Sequence, residues 1–80
     1  MMKINIISPE KILFTGEVNS VTLPGTMGSF SILDDHAPII SSLQKGIITY
    51  CCDEDGDEIE LEIEGGFVEG KQNEVNVCID

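Results

Sequence analysis

Eighty residues are enough for one domain, and a chain of this size buries only about 60 to 65% of the surface its unfolded form exposes, so its stability is expected to be modest. Fifteen acidic against four basic residues give a formal net charge of −11, which repels phosphate backbones and anionic head groups and excludes nucleic acid as a partner. The 41% hydrophobic share includes three Phe, one Tyr and no Trp, so Ile, Val and Leu must build the core.

No basic tract follows Met1, and no cleavable apolar segment is present. Nor does any run approach the ~18 to 20 apolar residues that span a bilayer, so the reading is a cytoplasmic, unprocessed chain. Three cysteines, none in a C-x-x-C pair, imply no disulfide framework and fit a reducing compartment. Cys51 and Cys52 are neighbours and would point to opposite faces of a strand, so they cannot share one metal without distorting the backbone. All three cysteines read as small buried hydrophobes.

Period-two alternation recurs along the chain and sustained helical spacing does not, which predicts an all-β protein. "KINIIS" places Ile4 and Ile6 on one face and Lys3, Asn5 and Ile7 on the other, and Pro9 ends that strand. "ILFTGEV" resumes extended structure, with a bulge or bend expected at Gly16. Val18 and Val21 break the alternation, so a new strand runs to Leu23, and a tight turn is expected at Pro24-Gly25. Residues 21 to 40, "VTLPGTMGSFSILDDHAPII", read as one long connection.

"IITYCC" alternates with usable side chains on both faces and is suited to lie between two layers. Asp55-Gly56 forms the tip of an expected hairpin, followed by Ile59, Leu61 and Ile63 inward and Glu58, Glu60, Glu62 and Glu64 outward. Gly65-Gly66 bends the chain, and "EVNVCID" closes it with Val75, Val77 and Ile79 on one face. Short strands separated by Gly and Pro turns indicate a sandwich or a closed barrel, one domain over residues 1–80.

Three chemistries compete for the polar stretches. Asp53, Asp55, Asp57 and Glu64 match positions 1, 3, 5 and 12 of a calcium loop, but position 6 is Glu58 where a glycine must turn the backbone. Ser29, Ser31, Asp34, Asp35 and His36 supply the residue types of a hydrolase triad, yet they come from eight consecutive positions, and a triad collects its members from separate elements. No nucleophile elbow, phosphate-cradling glycine-lysine loop or histidine pair is present. A protein-contact surface is left, with no catalytic, metal or cofactor residues expected.

"ISPEKILFTGEV", "VTLPGTMGSFSILDDHAPIISSLQKG" and "EGGFVE" follow one another in an order and spacing that resembles the amino-terminal domain of the epsilon subunit of F-type ATP synthases, over about residues 3 to 79. Asp34-Asp35 departs from the family pattern, which often has Pro and a small residue there. The chain also ends at Asp80, without the family's carboxy-terminal helical hairpin, and Met1 together with an intact last strand favours a naturally short subunit.

The resemblance implies an all-β fold, a flattened β-sandwich of about ten short strands, in a non-catalytic rotor subunit. Such a subunit would sit at the foot of the gamma shaft, binding gamma with one side of the sandwich and resting one end on the membrane ring of c subunits. It would couple ion-driven rotation to ATP synthesis, peripheral to the cytoplasmic side of a bacterial inner membrane and touching the membrane only through the complex. By the same resemblance Met27, Gly28, Ser29, Phe30, Asp34, Asp35, His36 and Pro38 would face the c ring, and Gly46 would lie near gamma. Without the hairpin, neither ATP binding nor conformational inhibition of hydrolysis is expected. The competing reading is a free-standing acidic β-sandwich module for interaction or ligand binding.

Overall fold

The computed structural model describes residues 1–34, 36–52 and 57–80, and among these it holds nine strands and no helix. They are β1 (Met2–Ile7), β2 (Ile12–Val18), β3 (Ser20–Gly25), β4 (Gly28–Leu33), β5 (Ile39–Leu43), β6 (Gly46–Cys51), β7 (Glu58–Ile63), β8 (Gly66–Lys71) and β9 (Glu74–Ile79). Pairing runs β2-β1-β9-β8-β5-β3-β6-β7, with β4 on the free side of β3. β5 meets β3 through a single pair, Gly25 with Leu43, and at this narrow join the sheet turns over on itself. One layer is then β2-β1-β9-β8-β5 and the other β4-β3-β6-β7.

The alternation read from the sequence fills the space between the layers. Met2, Ile4, Ile6, Val18, Val68, Val75 and Val77 from the first layer join Val21, Leu23, Ile32, Ile48, Tyr50 and Ile63 from the second in one buried cluster. The Phe14 and Tyr50 rings meet at 4.7 Å between centroids, tying β2 to β6 across the gap. Both chain ends lie in the same layer because β1 and β9 pair in parallel, from Lys3 with Glu74 to Ile7 with Cys78. The core is aliphatic, and no buried residue among those described is polar or charged.

Several sequence expectations are corrected. Gly16 sits opposite Ile4 in regular pairing, and the irregularity falls between Ile6 and Ile7, which pair with Phe14 and Ile12 and leave Leu13 as the extra residue. That bulge lets the consecutive Leu13 and Phe14 both pack on the core. At Gly16 a side chain would meet the Phe14 ring, at 3.0 Å from Cζ, so packing accounts for this glycine.

The turn expected at Pro24-Gly25 lies two residues later, at Thr26 and Met27, with Gly25 and Gly28 as the closing pair. Pro24 is tolerated in β3 because its backbone faces away from β4, where its carbonyl accepts a bond from the Gln44 amide at 2.8 Å. Most of the supposed long connection at 21 to 40 is therefore strand, β3, β4 and the start of β5, and the described residues outside the strands are Thr26, Met27, Asp34 and 36–38. Its serines and glycines hid the alternation of Phe30 and Ile32 inward against Ser29 and Ser31 outward.

β6 has one inner face, Ile48 and Tyr50, while Ile47 is exposed, so it does not lie between two layers. β7 keeps the predicted register, Ile63 buried and Leu61 half-buried, but Ile59 is 42% exposed because the strand runs past the end of the core. The three cysteines are half-buried, not buried. The tip of the β6–β7 hairpin, with the expected Asp55-Gly56 turn and the carboxylates of Asp53 and Asp55, lies outside the described residues.

Candidate protein-contact surface

The β3–β4 turn is held out from the sandwich by its base. The Thr26 amide donates to the Ser42 carbonyl at 3.1 Å, and the two hydroxyls lie 2.8 Å apart, so the turn is pinned to β5. Met27 at its tip is 99% exposed, which makes it an apolar side chain presented entirely to solvent. Gly28 takes φ +126°, Ser29 is exposed and Phe30 is half-buried against the core. The predicted segment Met27 to Phe30 is thus a turn tip followed by the first residues of β4.

Asp34 follows the other end of β4, about 20 Å from Met27 along a strand of six residues. One of its oxygens lies 3.2 Å from the Met1 amino group, an exposed ion pair worth about 0 to 1 kcal/mol. Asp35 lies outside the described residues. His36 is half-buried and turned inward: its Nδ1 lies 3.1 Å from the Ala37 carbonyl, and a side chain at Gly70 of β8 would meet its ring. Its Nε2 is buried with no hydrogen-bond partner among the described residues. Pro38 is exposed and borders a shallow hollow with Ile40, Glu69 and Lys71. The structure therefore places Met27 and Asp34 at opposite ends of β4 and turns His36 toward β8.

Gly46 sits at the bend between β5 and β6, half-buried beneath Pro24. A side chain there would come within 2.7 Å of the proline Cβ, so close packing at the corner already requires a glycine.

A further surface was not singled out in the sequence. On the outer face of the first layer, strand register sorts the side chains into rows. Glu17, Lys3, Glu74 and Lys71 form an alternating charged row. Thr15, Asn5 and Asn76 form a hydrogen-bonded row, with Asn5 accepting from Thr15 at 2.6 Å and donating to Asn76 at 2.9 Å. Ile12, Ile7, Cys78 and Phe67 form the third. Ile12 is 65% and Phe67 51% exposed, so this row leaves a run of apolar surface open across four neighbouring strands. The outer face of the second layer differs, carrying Ser31, Thr22, Thr49 and Glu60 side by side, with the Ser31 and Thr22 hydroxyls 2.8 Å apart. The first face gathers its apolar side chains into one row, whereas the second spaces Leu33 and Ile47 among hydroxyls and glutamates.

The family model for the β-sandwich domain of ATP synthase delta/epsilon chains matches residues 1–80. An ATP synthase epsilon chain of Leptospira interrogans is 44% identical over 80 residues, which is 99% of this chain and 61% of that one. An epsilon chain of Chlorobium limicola is 41% identical over 71 residues, covering 89% of this chain and 80% of the relative. The chain thus spans about three-fifths of the length of the Leptospira relative. Among solved structures, a chain of the Euglena gracilis mitochondrial ATP synthase, in an assembly of OSCP, F1 and c ring, superimposes with a TM-score of 0.90 at 20% identity, covering 98% of this chain and 49% of that one. A chain from the central stalk and c ring of the Tetrahymena thermophila mitochondrial enzyme gives 0.79 at 17% identity, over 98% and 62%. Both are likenesses of fold.

Proposed function

Because the chain belongs to the ATP synthase delta/epsilon family, whose β-sandwich domain accounts for its whole length, we propose that it is a rotor subunit that joins the gamma shaft to the ring of c subunits. The observation that carries this reading is the apolar row of Ile12, Ile7, Cys78 and Phe67 across the outer face of the first layer. A shaft must be gripped over an area and without slip, and a rigid sheet face carrying an apolar strip suits that task. Gly46 and the corner beside it would extend the gamma contact.

The ring contact would then be divided between two places at opposite ends of β4, Met27, Gly28, Ser29 and Phe30 at the β3–β4 turn and Asp34, Asp35, His36 and Pro38 after Leu33, along a side of the sandwich and not at one end. Met27 offers an apolar contact, and the aspartates suit basic residues on the ring. The subunit catalyses nothing itself, binds no cofactor or ATP, and works at the cytoplasmic side of the membrane as part of the complex. Its −11 charge favours basic partners and opposes nucleotide phosphates.

The test is co-purification of the tagged chain with gamma and with detergent-solubilised c ring over a range of salt. Both should bind, and replacing Asp34 and Asp35 with Asn should flatten the salt dependence of ring binding. Failure to retain either partner at low salt would favour a free-standing acidic module instead.

A further inference from the structure

Among the described residues, β2 and β7 at the ends of the sheet and β4 beside β3 each have a single paired neighbour, and β5 meets β3 only at Leu43. An unpaired edge presents a row of N–H and C=O groups to any extended segment, and proteins blunt such edges with charges, prolines or bulges. β2 carries Glu17 and the bulge at Leu13. β7 carries Glu58, Glu60 and Glu62. β4 has no charge and no proline, and it pairs with β3 from Leu33 to Gly28 without a shift of register.

The direction of its backbone groups follows from one bond. The Pro24 carbonyl points away from β4 to the Gln44 amide, so Pro24 and Ser29 are a non-hydrogen-bonded pair in the antiparallel ladder. Alternation then gives Gly28, Phe30 and Ile32 to β3 and turns the N–H and C=O of Ser29, Ser31 and Leu33 toward the open side. The side chains are arranged for extension as well, with Ile32 buried and Phe30 half-buried on the inner face and Ser29 and Ser31 exposed on the outer.

Charge selects what would come. Among the described residues, β3, β4, β6 and β7 contain no Lys or Arg, while β7 contributes three glutamates and Asp34 follows β4. A second copy of a chain with a net charge of −11 is repelled, and a basic segment is drawn in.

We propose that the open edge of β4 takes an extended, basic segment of a partner protein as an added strand. Main-chain hydrogen bonds to Ser29, Ser31 and Leu33 supply the affinity, alternate apolar side chains continue the inner face beside Phe30 and Ile32, and the lysines or arginines lie outward. The inference stands on the edge itself and does not depend on the identity of gamma or the ring.

The probe is a blocked peptide, Lys-Val-Lys-Val-Lys-Val, titrated into the whole chain while backbone amides are followed by NMR. Shifts and slowed hydrogen exchange are expected at Ser29, Ser31 and Leu33, with cross-strand contacts to the peptide. Two peptides N-methylated at odd or at even positions should differ, one losing binding at least tenfold and the other keeping it, because only alternate amides face β4. Ser31→Pro should weaken binding to a similar extent, since that N–H lies outside the β3–β4 ladder, while Ser31→Ala should bind as the parent chain does. No binding at millimolar peptide, equal binding of both methylated peptides, or shifts centred on the β7 glutamates would overturn the proposal. So would concentration-dependent shifts of the same three amides without peptide, which would mean that the edge serves self-association.

Discussion

Gly66 and Gly28 both hold positive φ, +149° and +126°, but only one of them is also crowded. A Cβ at Gly66 would collide with the Cys78 carbonyl across the β8–β9 pair, whereas one at Gly28 would meet nothing within 4 Å. Gly28→Ala should therefore cost only backbone strain, about 1 to 3 kcal/mol. Gly66→Ala should cost more, because β8 and β9 must separate to admit the methyl group. Urea midpoints of the two variants test the order. Tyr50 makes a prediction in pH: burial, and secondarily the negative charge Cys52 acquires at high pH, hold its phenol above the usual 10.0. A raised pKa in the folded chain means that this contribution to stability is complete below the unfolded value and is lost as pH rises through the folded one. The tyrosinate absorbance should thus rise later than in the urea-unfolded chain, and folding stability should fall over the same alkaline range. Coincident titrations would contradict the burial of Tyr50.

β7 separates direction from depth. Ile63 is 3% exposed and Ile59 42%, on the same face of one strand. Ile63→Ala should cost about 2 to 5 kcal/mol and Ile59→Ala much less, as measured by thermal or urea unfolding. Alternation told which way each isoleucine points, because the period of a strand is local. It could not tell how far the opposite layer reaches, which is a property of the closed sandwich. The same division runs through the other elements. β1, β7 and β9 were legible because large aliphatic residues alternate with polar ones, while β4 and β5 were missed because small serines and glycines weaken that signal. Gly16 and Pro24 misled because both residue types mark bends when taken alone, whereas here a ring fills the space over one and the other's backbone faces a corner. The motif order in residues 3 to 79 pointed to the family more securely than any single strand did. The apolar row stayed hidden even though Ile7 was read as outward, since joining it to Cys78 requires the parallel pairing of the first and last strands, which no local pattern encodes.

At the scale of the whole molecule the sandwich has two unlike outer faces: one ends in the apolar row of Ile12, Ile7, Cys78 and Phe67, and the other sets Leu33 and Ile47 apart among hydroxyls and glutamates. The central claim is that the first face grips the shaft. Calorimetry of purified gamma with the parent chain, Phe67→Asp and Leu33→Asp tests it, because both changes put a carboxylate on an exposed apolar residue but on opposite faces. If Phe67 anchors the contact, Phe67→Asp should weaken binding by at least about thirtyfold, the scale of an interface hot spot, while Leu33→Asp leaves it within twofold. Unchanged binding by Phe67→Asp, with its fold intact by circular dichroism, would contradict the account.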